Sequence, residues 1–407
     1  MIGTAGSGET RLTINASDRI ESLDGLRGIA ILLVFVCHYV PSDRTDALSA
    51  VTRLGWIGVD LFFVLSGFLI TGVLVDTRDC ANRFKSFYVR RALRLFPVYC
   101  LAVAVVIIGT HFLRGFRGWI NFPLFFYGSN LVALVPENDL TFPPYFDCKH
   151  FWSLALEEQF YTIWPFVVFF VPGRRAILRV CVVGVVAALV FRLAASYFGW
   201  SPWVSYLELP MRMDGLLLGS LIALVVRDPN PHTWLRRGRL NWIFLVSFGV
   251  FVVSAAITRN LWVSGPVNPD AMGVAESVAT NCEFSAIAIM FASTVALALI
   301  PGTAWNRVGS LGFLRFFGRY SYGLYVWHYL FFLVTGQWFY GFRQLIHARF
   351  LADLIYFMSM LTLFAGVAVL SYWLVEVHFL RLKSKFKAAP VTSQRAVIIP
   401  EASSAQG

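Results

Sequence analysis

Apolar runs of about two dozen residues recur along this chain, and they restrict it to a bundle of membrane helices. Crossing about 30 Å of hydrocarbon takes roughly 20 mostly apolar residues in a helix, because backbone amides left unpaired cannot face lipid. A lipid-facing β-barrel would instead show segments of about ten residues with dyad alternation, which these continuous runs exclude. The chain is 57% hydrophobic and 14% charged over 407 residues, more apolar than a soluble core of this length requires. We expect an all-α, polytopic helix bundle with about ten transmembrane helices, at 26–42, 54–75, 94–113, 151–171, 177–198, 207–226, 241–258, 281–300, 320–340 and 353–375. A further stretch, Trp119 to Val135, is short and broken by Asn121, Pro123 and Asn130, and either spans or lies against the surface.

Residues before Leu26 contain no apolar run, so the expectation is that no signal peptide is cleaved and the first span inserts itself. Lys and Arg concentrate at 78–94, 174–179, 227–239, 307–319 and after 381; with 119–135 not crossing, all these clusters fall on one side, which places both termini in the cytoplasm. The net charge of +11 then reflects topology and contact with anionic lipid headgroups, so no nucleic-acid partner is expected. Residues 1–19 and 384–407 are polar and rich in small residues, and are expected to be disordered cytoplasmic tails flanking a membrane domain at 20–383. The six cysteines are scattered without a metal-type CxxC pair, so no metal site is expected; Cys148 and Cys282 could share the outer side, but spacing does not pair them.

Ionisable groups inside spans are costly to bury and therefore mark function unless a structural pairing explains them. In LDGLRGIAILLVFVCH, Arg27 and His38 are eleven residues apart. Eleven steps of 100° put both on one helix face, roughly 16 Å apart along the axis. Asp60, in GWIGVDLFFVLSGF, sits at about the depth of His38 and either orients its imidazole or pairs with an arginine. The small residues around it permit close helix packing. In FYVRRALRLFPVY, Arg91 and Arg94 are three apart and can face one anion, if they are not simply positive-inside anchors. Glu157 and Glu158, in HFWSLALEEQFY, lie more than a turn into an apolar helix and require a wet cavity or an arginine. Arg212 and Asp214 read as charge partners for these glutamates, whereas Ser321 and His328, seven apart in the ninth span, share a face. Glu376 and Arg381 close the last span, where snorkelling to the interface accounts for them. The result is an acid/base group towards the outer half and an anion-binding group towards the inner half.

At these residues the chain resembles the acyltransferase 3 family of bacterial membrane O-acyltransferases, which includes O-antigen and Nod-factor acetylases. Five blocks carry the resemblance in the family's order: LDGLRGIA with His38, GVDLFFVLSGFLIT, FYVRRALRLFPVY, HFWSLALEEQFY and FGRYSYGLYVWH. It implies a ten-span fold in a bacterial cytoplasmic (inner) membrane. It also implies acyl-CoA, probed first as acetyl-CoA, as donor substrate, with no permanently bound cofactor, and a carbohydrate or glycoside acceptor on the extracytoplasmic side. The family's essential histidine corresponds to His38, its first-span arginine to Arg27, its basic pair to Arg91 and Arg94, and its glutamates to Glu157 and Glu158. Relatives commonly end the last span with Glu and, two residues on, Pro; here Glu376 and Val377 are followed by His378, which puts the role of Glu376 in doubt. No SGNH esterase-like domain is recognisable, so transfer is expected from the membrane domain alone.

The expected chemistry docks CoA phosphates on Arg27, Arg91 and Arg94, with Glu157, Ser321 and His328 lining the donor and acceptor path. His38 then acts as general base or as an acyl carrier, its tautomer held by Glu158 or Asp60. The rival classes are a proton-coupled transporter or flippase and a catalytically silent scaffold. Against the first, no internal repeat is visible, and clustered arginines suit a phosphorylated donor better than a proton path.

Overall fold

The computed structural model describes residues 20–40, 52–114, 123–132, 141–142, 146–228, 235–258, 274–346 and 348–389. The termini at 1–19 and 390–407 and the edges of 119–135 lie outside this set. Eleven longer helices carry the fold: α1 (Glu21–Tyr39), α2 (Gly58–Asp76), α3 (Arg83–Arg114), α4 (Phe151–Phe170), α5 (Arg174–Tyr197), α6 (Leu209–Val226), α7 (Arg237–Thr258), α8 (Val274–Ala298), α9 (Gly312–Leu330), α10 (Phe332–Leu345) and α11 (Arg349–Ser371). A single two-residue hairpin, β1 (Thr141–Phe142) and β2 (Phe146–Asp147), is the sheet content among the described residues.

Eight helices among the described residues are long and apolar enough to cross a membrane, so the protein is a multi-pass membrane protein. The expected fourth and ninth spans are not among the eight. In α4, Glu157, Glu158 and Gln159 dilute the apolar run. The ninth span, expected at 320–340, is displaced: α9 starts at Gly312, carries Arg315 and Arg319, and stops at Leu330, after which α10 begins a separate helix. Polar cargo thus enters the bundle on α4 and α9, both packed against other helices; Phe151, Ala155, Leu156 and Val168 on α4 and Val326, His328 and Leu330 on α9 have no solvent exposure. α5 and α7 instead present Val182, Val183, Val186, Leu245, Val246 and Val253 outward, as lipid-facing helices do.

Helix association in lipid depends on close backbone approach. α1 lies along α9, α2 along α6, and α7 along α8. A Cβ added at Gly28 would stand 2.0 Å from the Leu314 carbonyl oxygen, and one at Gly318 would stand 1.7 Å from that of Asp24. Between α2 and α6, the corresponding approaches are 1.9 Å at Gly67 to Leu216 and 2.0 Å at Gly219 to Val64. α11 runs into a π-helical turn, Tyr372–Glu376, before a last helical stretch Val377–Leu382. Between α3 and α4, residues 123–132 form short helical turns held by the Tyr99 hydroxyl on the Leu124 carbonyl (2.6 Å) and by Gln159 on Asn130 (2.9 Å). The six cysteines are all free.

Candidate active site

The contact between α1 and α9 that the glycines allow brings two imidazoles together farther up the same seam. His38 Nδ1 is 3.1 Å from His328 Nε2. His328 Nδ1 lies 2.7 Å from the Tyr325 carbonyl oxygen and 3.2 Å from that of Leu324. A carbonyl only accepts, so His328 Nδ1 carries a hydrogen, and in neutral His328 the Nε2 atom is a lone-pair acceptor. His38 therefore donates from Nδ1 and keeps its own lone pair on Nε2. The Tyr39 hydroxyl fixes the helix carrying His328 by donating to the His328 carbonyl at 2.5 Å. A third imidazole, His150 at the start of α4, has its ring centre 5.5 Å from that of His328 and donates from Nε2 to the Val326 carbonyl at 3.2 Å.

Towards the other end of α1, a narrow cavity opens between α1, α2, α3, α4 and α9. Arg27, Arg91, Arg94, Glu157 and Ser321 line it, together with Phe62, Phe63, Ser66, Tyr322, Ser153 and Tyr325. The arginines are not equivalent. Arg91 sits between Glu157 (3.7 Å) and Glu158 (3.6 Å), with its guanidinium carbon 3.7 Å from the centre of the Tyr161 ring. Glu157 in turn accepts from the Ser66 and Tyr161 hydroxyls, each at 2.8 Å. Arg27 pairs loosely with Asp24 at 3.8 Å. Arg94 faces the cavity and has no hydrogen-bond or ion-pair partner among the described residues. Glu376, turned inward by the π-helical turn, is buried between α9 and α11 beside Gly323, with Arg94 in electrostatic reach; it does not snorkel outward as expected.

The structure thus gathers Arg27, Arg91, Arg94, Glu157 and Ser321 in one cavity and pairs His38 with His328. It does not bring Asp60 or Glu158 to His38. Asp60 is bound to Arg212 at 2.8 Å, and Glu158 faces Arg91. The reason is helical phase: Asp60, Val64 and Gly67 share the face of α2 that packs on α6, away from the α1 and α9 seam. Asp214 pairs with Arg192 at 2.9 Å, so the charges of α6 are balanced by Asp60 and Arg192, where the sequence had suggested the glutamates of α4.

Sequence reading passed over Ser153 and Tyr325. Both were signalled by spacing: His150, Ser153 and Glu157 follow an i, i+3, i+7 pattern on α4, and Ser321, Tyr325 and His328 follow i, i+4, i+7 on α9, so each triplet lies on one helix face.

A family model described as an acyltransferase domain matches residues 20–376. The chain belongs to the acyltransferase 3 family. Among curated proteins, this family member is similar to the peptidoglycan O-acetyltransferase OatA of Listeria monocytogenes, 30% identical over 343 residues, which cover 78% of this chain and 50% of the relative. It is also similar to the O-acetyltransferase OatA of Staphylococcus aureus, 27% identical over 327 residues, covering 76% of this chain and 50% of the relative. The chain therefore spans about half the length of the curated relatives it matches. No solved structure matches it.

Proposed function

We propose that the protein is a membrane O-acyltransferase that moves an acetyl group from acetyl-CoA, bound in the cavity of Arg27, Arg91 and Arg94, to a hydroxyl of a carbohydrate held beyond His38. The observation that carries this reading is the position of the arginine-lined cavity, which ends one helical turn short of His328, the partner of His38, on α9 and of His150 at the start of α4. The relatives' names support the acceptor class, a peptidoglycan-like glycan; in this reading it is met on the outer side of a bacterial cytoplasmic membrane.

In this reading Arg94, the cavity arginine without a carboxylate partner, receives phosphate oxygens, and Arg27 shares the load. Charge-assisted hydrogen bonds of this kind contribute about 1.5–3 kcal/mol each. Arg91, clamped by two glutamates, shapes the wall. The pantetheine arm runs along α1, and the acyl carbon reaches the level of His38. The Nε2 lone pair of His38 takes the proton of the attacking hydroxyl, and His328 holds the tautomer that leaves this lone pair available. General-base catalysis of this type is worth about 10²–10⁴ in rate.

The test is release of free CoA and appearance of ester on chito-oligosaccharide or muropeptide acceptors, using purified protein in proteoliposomes. Wild type is expected to turn over, His38→Ala to bind acetyl-CoA without transferring, and Arg94→Ala to lose donor affinity. A folded wild type that binds no acetyl-CoA would overturn the donor assignment.

A further inference from the structure

Between the cavity and the imidazoles lie two hydroxyls to which the chemistry so far gives no part. Ser153 Oγ and the Tyr325 hydroxyl are 2.5 Å apart, and both line the cavity at its upper end. Tyr325 also reaches the His150 carbonyl oxygen at 2.9 Å, and Ser153 reaches the same oxygen at 3.3 Å. The Tyr325 ring centre is 5.6 Å from that of His328 and 5.6 Å from that of His150.

Hydrogen accounting makes this trio unusual. Three oxygens make three contacts, but the two hydroxyls hold only two hydrogens. Either Ser153 donates to Tyr325 and Tyr325 to the carbonyl, or Tyr325 donates to Ser153 and Ser153 to the carbonyl. In both arrangements one hydrogen can turn to a new acceptor in the cavity while the His150 carbonyl stays satisfied by the other. Buried hydroxyls are ordinarily committed to their partners. These two keep a donor in reserve at the point where the cavity stops.

We propose that Tyr325, supported by Ser153, is a catalytic residue that binds the carbonyl oxygen of the donor thioester and holds the oxyanion formed during transfer. The proposal rests on the acetyl-CoA reading above. The acceptor oxygen attacks the thioester carbon while its proton passes to His38 Nε2. The carbonyl electron pair moves onto oxygen, where the Tyr325 O–H donates to it. On collapse the C–S bond breaks, the thiolate takes the proton back from His38, and ester and free CoA leave. No other reactant is needed.

Tyr325→Phe keeps the ring and removes the donor; Ser153→Ala removes the supporting hydroxyl. Loss of one oxyanion donor costs about 10²–10³ in rate. For Tyr325→Phe, kcat is expected to fall by that factor with acetyl-CoA affinity within about twofold of wild type, and Ser153→Ala should lose less. Infrared difference spectra of bound [1-13C]acetyl-CoA supply a readout independent of turnover. The carbonyl stretch is expected below its solution position in wild type and back near it in Tyr325→Phe. A Tyr325→Phe protein with full kcat, or an unchanged stretch, overturns this assignment and leaves the donor reading standing. A wild type that binds no acetyl-CoA overturns both.

Discussion

The register of α1 against α9 can be perturbed at a single atom. In Gly28→Ala the new methyl would stand 2.0 Å from the Leu314 carbonyl oxygen and 2.8 Å from its carbon, whereas ordinary contact begins near 3.4 Å. Both groups are backbone and cannot rotate away, so the helices must part by about 1.4 Å or slide. The His38 to His328 hydrogen bond starts at 3.1 Å and is spent beyond about 3.5 Å, so even a third of that separation breaks it. Overpacking of this kind costs about 1–3 kcal/mol in stability. The rate should fall further than stability alone explains, because His38 loses the acceptor that sets its tautomer. The assay is CoA release at saturating acetyl-CoA beside thermal unfolding in detergent. Gly366→Ala, whose new methyl meets nothing within 4 Å, serves as control and should match or slightly exceed wild-type stability. We expect kcat for Gly28→Ala to drop about tenfold or more while the folded fraction at assay temperature stays high. Wild-type kcat and melting temperature in Gly28→Ala would refute the coupling of this helix contact to the imidazole pair.

Three further outcomes follow from the site. His328→Ala should lower kcat by about 10²–10⁴ with little change in donor KM, since a misheld tautomer removes the base and spares the cavity; steady-state kinetics with varied acetyl-CoA separates the two constants. Arg94→Ala and Arg91→Ala should differ in kind: the first raises donor KM about tenfold with normal thermal stability, and the second lowers the melting temperature by stranding Glu157 and Glu158, so calorimetric binding beside a melt distinguishes them. Asp60→Asn should destabilise by about 3–5 kcal/mol through the stranded Arg212, and the double change Asp60→Leu with Arg212→Met should recover much of it; equal melting of the single and double variants would count against a structural pair.

Membrane residence and most helix positions were legible because the hydrocarbon thickness imposes a length on every apolar run. The ninth span was misplaced because Arg315 and Arg319 hide the start of α9 from a hydropathy argument, and because the break at Phe331 has neither Gly nor Pro to announce it. The polar residues were legible as a set, since lipid penalises each of them. Their partners were not, because partnership depends on which face of a helix meets which neighbour. Asp60 was expected at the depth of His38, yet it follows the α6 face of α2 and lies past Gly58, which meets α1 at Ala30 to Val34, below His38. Ser153 and Tyr325 escaped notice because a hydroxyl near a helix end costs little and draws no attention without its neighbours in space.

Arg27 and His38 stand on one uninterrupted helix, which makes α1 a ruler. The rise of about 1.5 Å per residue fixes how far beyond Arg27 the imidazole of His38 lies, whatever the rest of the bundle does. Insertion of one residue between them would swing His38 by about 100° off the cavity face, and only insertions near a whole number of turns would restore the facing at a greater reach. Under the donor assignment above, the carbonyl of every thioester arrives at the same depth, since CoA brings the same arm each time. Discrimination between acetyl and longer chains is then decided past the end of the scale, by the room that Tyr329 and Phe332 leave around the imidazole of His38.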